Sequence, residues 1–230
     1  MDAQTTDASI VERFKTFVQA RDFPCVGAKS ALTREQMTFV VARDIRSAWD
    51  DLTIYQTLLE FTDHYRLDNA LFQSVVVLFE EQADLDEEAF ERALWERVQS
   101  LSDKDAWHGQ DYDPRVSKDA EDPHFSLSFG GEAFFVVGLH PRASRPARRF
   151  ETPALVFNLH DQFERLREEQ KYEKLRGAIL QRDEALAGSQ NPMLSRHGET
   201  SEARQYSGRA VDEDWKCPFS AKKKVDHFAL

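Results

Sequence analysis

The sequence predicts an α/β or α+β fold: a single domain with a central mixed β-sheet flanked by helices, and a C-terminal segment wrapping over the body. Three observations predict it. Short apolar stretches rich in Val, Ile and Phe alternate with longer stretches whose apolar residues recur every three or four positions. One pair of strand-like stretches is joined by Gly130-Gly131, a hairpin signal, while others are separated by helix-length segments that demand a crossover. From Ala187 to Leu230 the periodicity stops, yet Trp215 and Phe219 still need burial, so the tail is expected to lie over the body.

The elements follow in order. Ile10 to Gln19 reads as a helix through Ile10, Phe14, Phe17 and Val18, with Asp7 or Ser9 as cap. Phe23-Pro24-Cys25-Val26-Gly27 breaks it and begins something extended. Met37–Ile45 is apolar and β-branched and reads as a strand. Ser47–Tyr65 returns to helical spacing through Trp49, Leu52, Leu59 and Phe61. Leu71–Phe79 is a strand whose Val75-Val76-Val77 run is too apolar for a sheet open on one side. Asp84–Leu101 is helical, with acids crowding its first turn, where the helix dipole favours them. Asp103–Pro123 is a polar loop, and Phe125–Phe129 and Ala133–Leu139 form a hairpin. A basic loop runs from Pro141 to Pro153, Ala154–Leu159 is the last strand, and Asp161 caps a long helix through about Leu186. One domain is the simplest division, with residues 1–22 an N-terminal helical segment, 23–219 the body and 220–230 a tail.

Composition removes several function classes. The 230 residues carry 30 basic and 41 acidic side chains, a formal charge of −11, which argues against sequence-independent nucleic-acid binding. With 41% apolar residues and 17 Phe the chain can bury a real core. No apolar run of about 18 residues exists to cross a membrane, and Met1–Ala8 has no apolar signal core, so a cytoplasmic location is expected. Cys25 and Cys217 form neither a disulfide framework nor a CxxC pair. GxGxxG, Walker and HExxH motifs are missing. The charge is uneven: residues 1–140 carry 13 basic against 27 acidic side chains, and residues 141–230 carry 17 against 14. The Arg-rich stretch 164–184 reads first as a solvated helix face. Arg142, Arg145, Arg148 and Arg149 cluster in a Pro-containing loop and suggest an anion site.

Candidate chemistry gathers at four places. His140 and His160 each end a strand, and if those strands are neighbours the two imidazoles open onto one pocket. A helix start after His160 keeps that imidazole neutral, as a metal ligand must be. The plainer reading of each is a histidine bonded to nearby backbone. The run His197–Arg209 is dense in hydrogen-bonding groups, and Glu199 or Glu202 would meet a cationic substrate. Cys217, between Trp215 and Pro218-Phe219, is either a thiolate for soft metal or haem iron, or a small buried residue. Cys25 reads as a small buried residue.

Several stretches carry a resemblance: Phe23-Pro24-Cys25-Val26-Gly27-Ala28-Lys29, Gly138-Leu139-His140-Pro141, Arg148-Arg149-Phe150, and Phe157-Asn158-Leu159-His160 with Gln162-Phe163. Gly188-Ser189-Gln190-Asn191-Pro192-Met193, Ser201-Glu202-Ala203-Arg204-Gln205-Tyr206-Ser207-Gly208-Arg209 and Trp215-Lys216-Cys217-Pro218-Phe219 complete it. On these the chain resembles the YqcI/YcgG family from Phe23 to Phe219. That family includes haem-dependent N-hydroxylases of guanidino amino acids, such as those of guanitoxin and D-cycloserine biosynthesis. The resemblance therefore implies b-type haem, dioxygen, and hydroxylation of a guanidine nitrogen on a free amino acid such as L-arginine. Joined to the residues, it makes His140 the expected iron ligand, His160 the next, and Cys217 the rival, with Arg148 and Arg149 on the haem propionates. Glu202 or Glu199 would hold the guanidinium, Arg204 or Arg209 the substrate carboxylate, and Glu199, Glu202 and Tyr206 are the catalytic candidates. No reductase module fits in this length, so electrons come from a separate donor protein or from peroxide. The competing expectations are a haem-binding sensor or carrier without turnover, and a non-haem metal site built on His140 and His160.

Overall fold

The computed structural model describes residues 3–196 and 198–226; His197 of the polar run and residues 227–230 of the expected tail lie outside them. A five-stranded mixed sheet runs in the order β1-β2-β5-β4-β3. Its strands are β1 (Met37–Ala42), β2 (Ser74–Phe79), β3 (Leu127–Phe129), β4 (Glu132–Leu139) and β5 (Ala154–Leu159). β1 and β2 are parallel and are linked by helix α3 (Asp51–Leu67), while every other pairing is antiparallel. β3 and β4 form the expected hairpin, with Gly130 and Gly131 at φ +57° and +79°, values an L side chain resists.

All six residues of β2 are buried, because both faces of the sheet are covered. Val75, Val77 and Phe157 point to α3 and to α4 (Glu87–Trp107), where Tyr55, Phe90 and Leu94 meet them. Val76, Leu78 and Ala154 point the other way, onto Ile10, Phe14 and Val18 of α1 (Ala3–Gln19). Each large apolar side chain buried this way contributes about 1.5–3 kcal/mol. Gly138 sets the close approach of α4: a Cβ there would lie 2.7 Å from both Phe90 Cε1 and Leu94 Cδ1. α3 and α4 are also joined by a buried carboxylate. Asp51 is inaccessible to solvent, yet it takes the Arg97 guanidinium, the Lys104 ammonium at 2.8 Å and the Ser100 hydroxyl at 2.5 Å.

Five local expectations are corrected. α1 begins at Ala3, so Asp7 and Ser9 fall inside the helix rather than capping it. The segment after Pro24 is not extended: α2 (Val26–Thr33) starts there, with Cys25 as its N-cap and the Ala28 amide donating to Sγ at 3.4 Å. α4 runs on to Trp107, beyond the Leu101 boundary, and takes the first residues of the supposed polar loop. The long helix after β5 is two, α5 (His160–Glu168) and α6 (Tyr172–Ala187), broken where Gln170 adopts φ +56°. Asp161 makes no cap: its carboxylate accepts the Tyr65 hydroxyl at 2.5 Å and Arg115 at 3.1 Å. The tail wraps as expected. A short helix α7 (Ala203–Tyr206) and Phe219 enter the core, and the Val225 amide donates to Ala106 O at 2.8 Å.

Candidate functional site

On the sheet face carrying Phe135, Val137 and Asn158, helices α5 and α6 stand off and leave a cavity of about 270 Å³. The break at Gln170 brings both helices to the same space: Phe163 and Leu166 come from α5, Leu175, Ile179 and Leu180 from α6. The start of α2 closes one side with Cys25, Gly27 and Ala28, and the tail closes another with Leu194, Ser195, Glu202 and Gln205. Gln162 anchors α5 to the mouth of β2, accepting the Gln73 amide at 2.8 Å and donating to Gln73 O at 2.7 Å. Ser74 donates to Asn158 Oδ1 at 2.9 Å. The walls are mainly apolar with a few fixed polar groups, the usual make-up of a small-molecule site.

Glu202 is the cavity's carboxylate, and it is 5% exposed. The buried Ser126 hydroxyl donates to its Oε2 at 2.5 Å, and Tyr206 approaches the same oxygen at 3.5 Å while also bonding Phe134 O at 3.2 Å. Oε1 faces Nδ1 of His160 at 3.6 Å. On the other edge of that ring, Nε2 lies 3.2 Å from Glu164 Oε1. Burial raises the Tyr206 hydroxyl well above its ordinary value, so it stays a proton donor.

Cys25 is among the residues lining the same space, and its sulfur accepts the Ala28 amide. Burial pushes the thiol up, and the Ala28 and Gly27 amides work in the opposite direction.

His140 and His160 do not share a pocket. β4 and β5 are neighbours, but antiparallel: Leu139 pairs with Ala154, and Phe134 with Leu159. The two strand ends therefore lie at opposite ends of the strand pair, on the order of 17 Å apart at about 3.4 Å per residue. His140 is stacked on Phe90, ring centroids 4.3 Å apart, and its buried Nδ1 has no partner. Burial holds it below its ordinary pKa, with Glu87 and the Leu85 backbone offsetting part of that. Its place is the α4 side of the fold, away from the cavity.

The basic loop is bracing rather than an anion site. Arg148 is enclosed and donates to Gly138 O at 3.2 Å, Tyr206 O at 2.9 Å and Gln205 O at 2.9 Å; burial lowers it to about 10. Arg149 donates to Ala143 O and Ser144 O, Arg145 to Asp183 and Ser189, and Arg142 to Asp84. The tail residues separate in the same way. Arg209 pairs with Glu91, Arg204 covers Trp215 at 5.8 Å, and neither lines the cavity. Glu199 sits in an exposed turn and accepts the Arg196 amide at 2.9 Å. Cys217 packs beside the Trp215 and Phe219 cluster, its thiol pushed up to about 12 by burial, again away from the cavity. Among the described residues no group of three or more His, Cys, Asp or Glu side chains is gathered to hold a metal ion, and none of their helices is long and apolar enough to cross a membrane.

The family model described as YqcI/YcgG matches residues 14–220. This chain belongs to the YqcI/YcgG family. No curated protein and no solved structure matches it. The stretches that carry the YqcI/YcgG resemblance converge in space. Cys25, Gly27 and Ala28 of the first, Asn158, Leu159, Gln162 and Phe163 of the fourth, and Glu202 and Gln205 of the Ser201–Arg209 run all line the one cavity. Others hold it in shape, since Arg148 fixes the carbonyls of Gln205 and Tyr206. Of the residues singled out from sequence, Glu202 lines the cavity and His160 and Tyr206 lie against it, while Ser126 and the α6 wall drew no notice and Cys25 was read only as a small buried residue. Ser126, just before β3, carries no signal in the sequence. The Phe-Pro-Cys step was visible, but its helix-capping role was not.

Proposed function

We propose that this YqcI/YcgG chain is a haem-dependent oxygenase that N-hydroxylates the guanidine group of a free amino acid such as L-arginine. The observation that carries the reading is one cavity lined by a cysteine, apolar walls and a buried carboxylate. Haem requires an axial donor, an apolar slot and cations for its propionates. The cavity residues fit those needs in Cys25, in walls such as Phe135, Phe163 and Ile179, and in Arg176. Cys25 replaces His140 and Cys217 as the favoured ligand because it alone of the three lines the space. His160 is the second choice; it lies behind the cavity wall rather than in it, with Glu202 at its Nδ1 and Glu164 at its Nε2, so it would have to exchange Glu164 for iron.

Bound there, haem would supply the activation of dioxygen. The protein's own residues would bind and orient the substrate. Glu202 would accept two N–H groups of the guanidinium, held in place by the Ser126 hydroxyl and backed by Tyr206. The apolar walls would exclude water and strengthen that pairing. Net hydroxylation puts one oxygen atom of dioxygen into a guanidine N–H bond. The other leaves as water, using two electrons and two protons from a separate donor.

The test is a titration of the full-length protein with hemin, followed by L-arginine. A stoichiometric Soret band that shifts on adding L-arginine, and N-hydroxylated arginine by mass spectrometry once reductant and dioxygen are supplied, are the expected results. A protein that takes up no hemin overturns the reading.

A further inference from the structure

We infer that Arg176 is the carboxylate anchor of the cavity. The inference rests on the cavity reading above and adds to it the recognition of an anionic group. Arg176 lies on α6, partly buried, and lines the same space as Glu202. Among the described residues its guanidinium has no ion pair, hydrogen bond or ring contact. The other arginine of the cavity differs: Arg167 pairs with Glu164 and covers the Tyr172 ring at 4.5 Å. The arginines nominated from sequence are engaged as well, Arg148 on three carbonyls and Arg209 on Glu91.

The cavity thus offers one buried carboxylate and one uncommitted guanidinium, joined by apolar walls. A guanidinium in that setting recognises carboxylate in paired N–H geometry. The complementary ligand carries a carboxylate, an aliphatic or planar apolar body, and a donor-rich cationic group for Glu202. The carboxylate has two chemical sources, the α-carboxylate of a guanidino amino acid or a haem propionate, and the recognition is the same for both.

The experiment compares wild type with Arg176→Gln and Arg176→Lys, each as the full chain with its far-UV spectrum and melting curve checked. In one arm, hemin is titrated into haem-free protein and followed by the Soret band. In the other, L-arginine and agmatine, which lacks the carboxylate, are titrated calorimetrically into the protein as loaded. A substrate source predicts that Arg176→Gln weakens L-arginine by about 10- to 100-fold and leaves agmatine unchanged. A propionate source predicts a loss of that size in hemin affinity with the L-arginine to agmatine ratio preserved. In either case Arg176→Lys recovers part of the loss. Arg176→Gln that is folded and changes neither quantity overturns the inference, as does a wild type that binds neither hemin nor L-arginine in preference to agmatine. If wild type refuses hemin but loses its preference for L-arginine over agmatine on Arg176→Gln, the oxygenase reading fails and the anchor stands.

Discussion

The Ser126 hydroxyl donates to Oε2 of Glu202 at 2.5 Å, joining the approach to β3 with a tail segment 76 residues later. Both side chains are withdrawn from solvent, so the bond holds a charge that folding would otherwise leave poorly solvated. Ser126→Ala should destabilise the protein by about 1–3 kcal/mol in urea unfolding, because a buried acceptor loses its donor. Glu202→Gln keeps the volume and removes the charge. It should lower L-arginine affinity at least tenfold, and unchanged binding by calorimetry would remove Glu202 from substrate recognition.

Cys25 gives a spectroscopic prediction. The ferrous–CO complex of haem-loaded wild type should show the red-shifted Soret band of thiolate ligation, and Cys25→Ser should lose it. Cys217→Ala should leave the spectrum as it is, since that thiol lies outside the cavity. The opposite pattern would return Cys217 to the role, and a histidine-type spectrum in wild type would move it to His160.

Gly138 tests the packing beneath the sheet. Gly138→Ala places a methyl within 2.7 Å of Phe90 and Leu94, two rigidly packed side chains. The expected cost is about 1–3 kcal/mol in chemical denaturation. An unchanged midpoint would mean that α4 shifts freely against β4.

Asp105 predicts a pH dependence. Its carboxyl accepts the Tyr55 hydroxyl at 3.0 Å and the Gly130 amide at 2.8 Å, yet burial raises it to about 6. The folded protein therefore holds a proton on this group that the unfolded chain has already released above about pH 4. The associated stability is fully present below that pH and declines as pH rises toward 6, by an amount on the order of 1–3 kcal/mol. Asp105→Asn retains an oxygen for both donors and should remove this slope. Stability curves of the two proteins measured from pH 4 to pH 7 should converge at the acidic end, and parallel curves would show that Asp105 titrates normally.

Much of the sheet was legible because β-branched runs and Gly130-Gly131 are local signals. Strand direction was not, and the site reading failed there. His140 and His160 occupy equivalent positions on paper, but the loop from Pro141 to Pro153 returns the chain antiparallel, so equivalent positions become opposite ends of the strand pair. The arginines misled for a related reason: a cluster in sequence looks like an anion site, and only the fold reveals that Arg148 points inward to carbonyls. The break at Gln170 was hidden because nothing about Gln marks a left-handed residue. Within the polar run the density of hydrogen-bonding groups pointed to Glu199, Glu202 and Tyr206; the fold buries Glu202 and Tyr206 together and leaves Glu199 exposed.

The cavity's carboxylate arrives on the tail. The sheet, α5 and α6 all precede Glu202 in the chain. During synthesis the body can condense while its ligand chamber still lacks a wall. Capture of any molecule that needs Glu202 is therefore a late event on the ribosome's schedule, and a truncated product ending before it would be a folded shell with an open door.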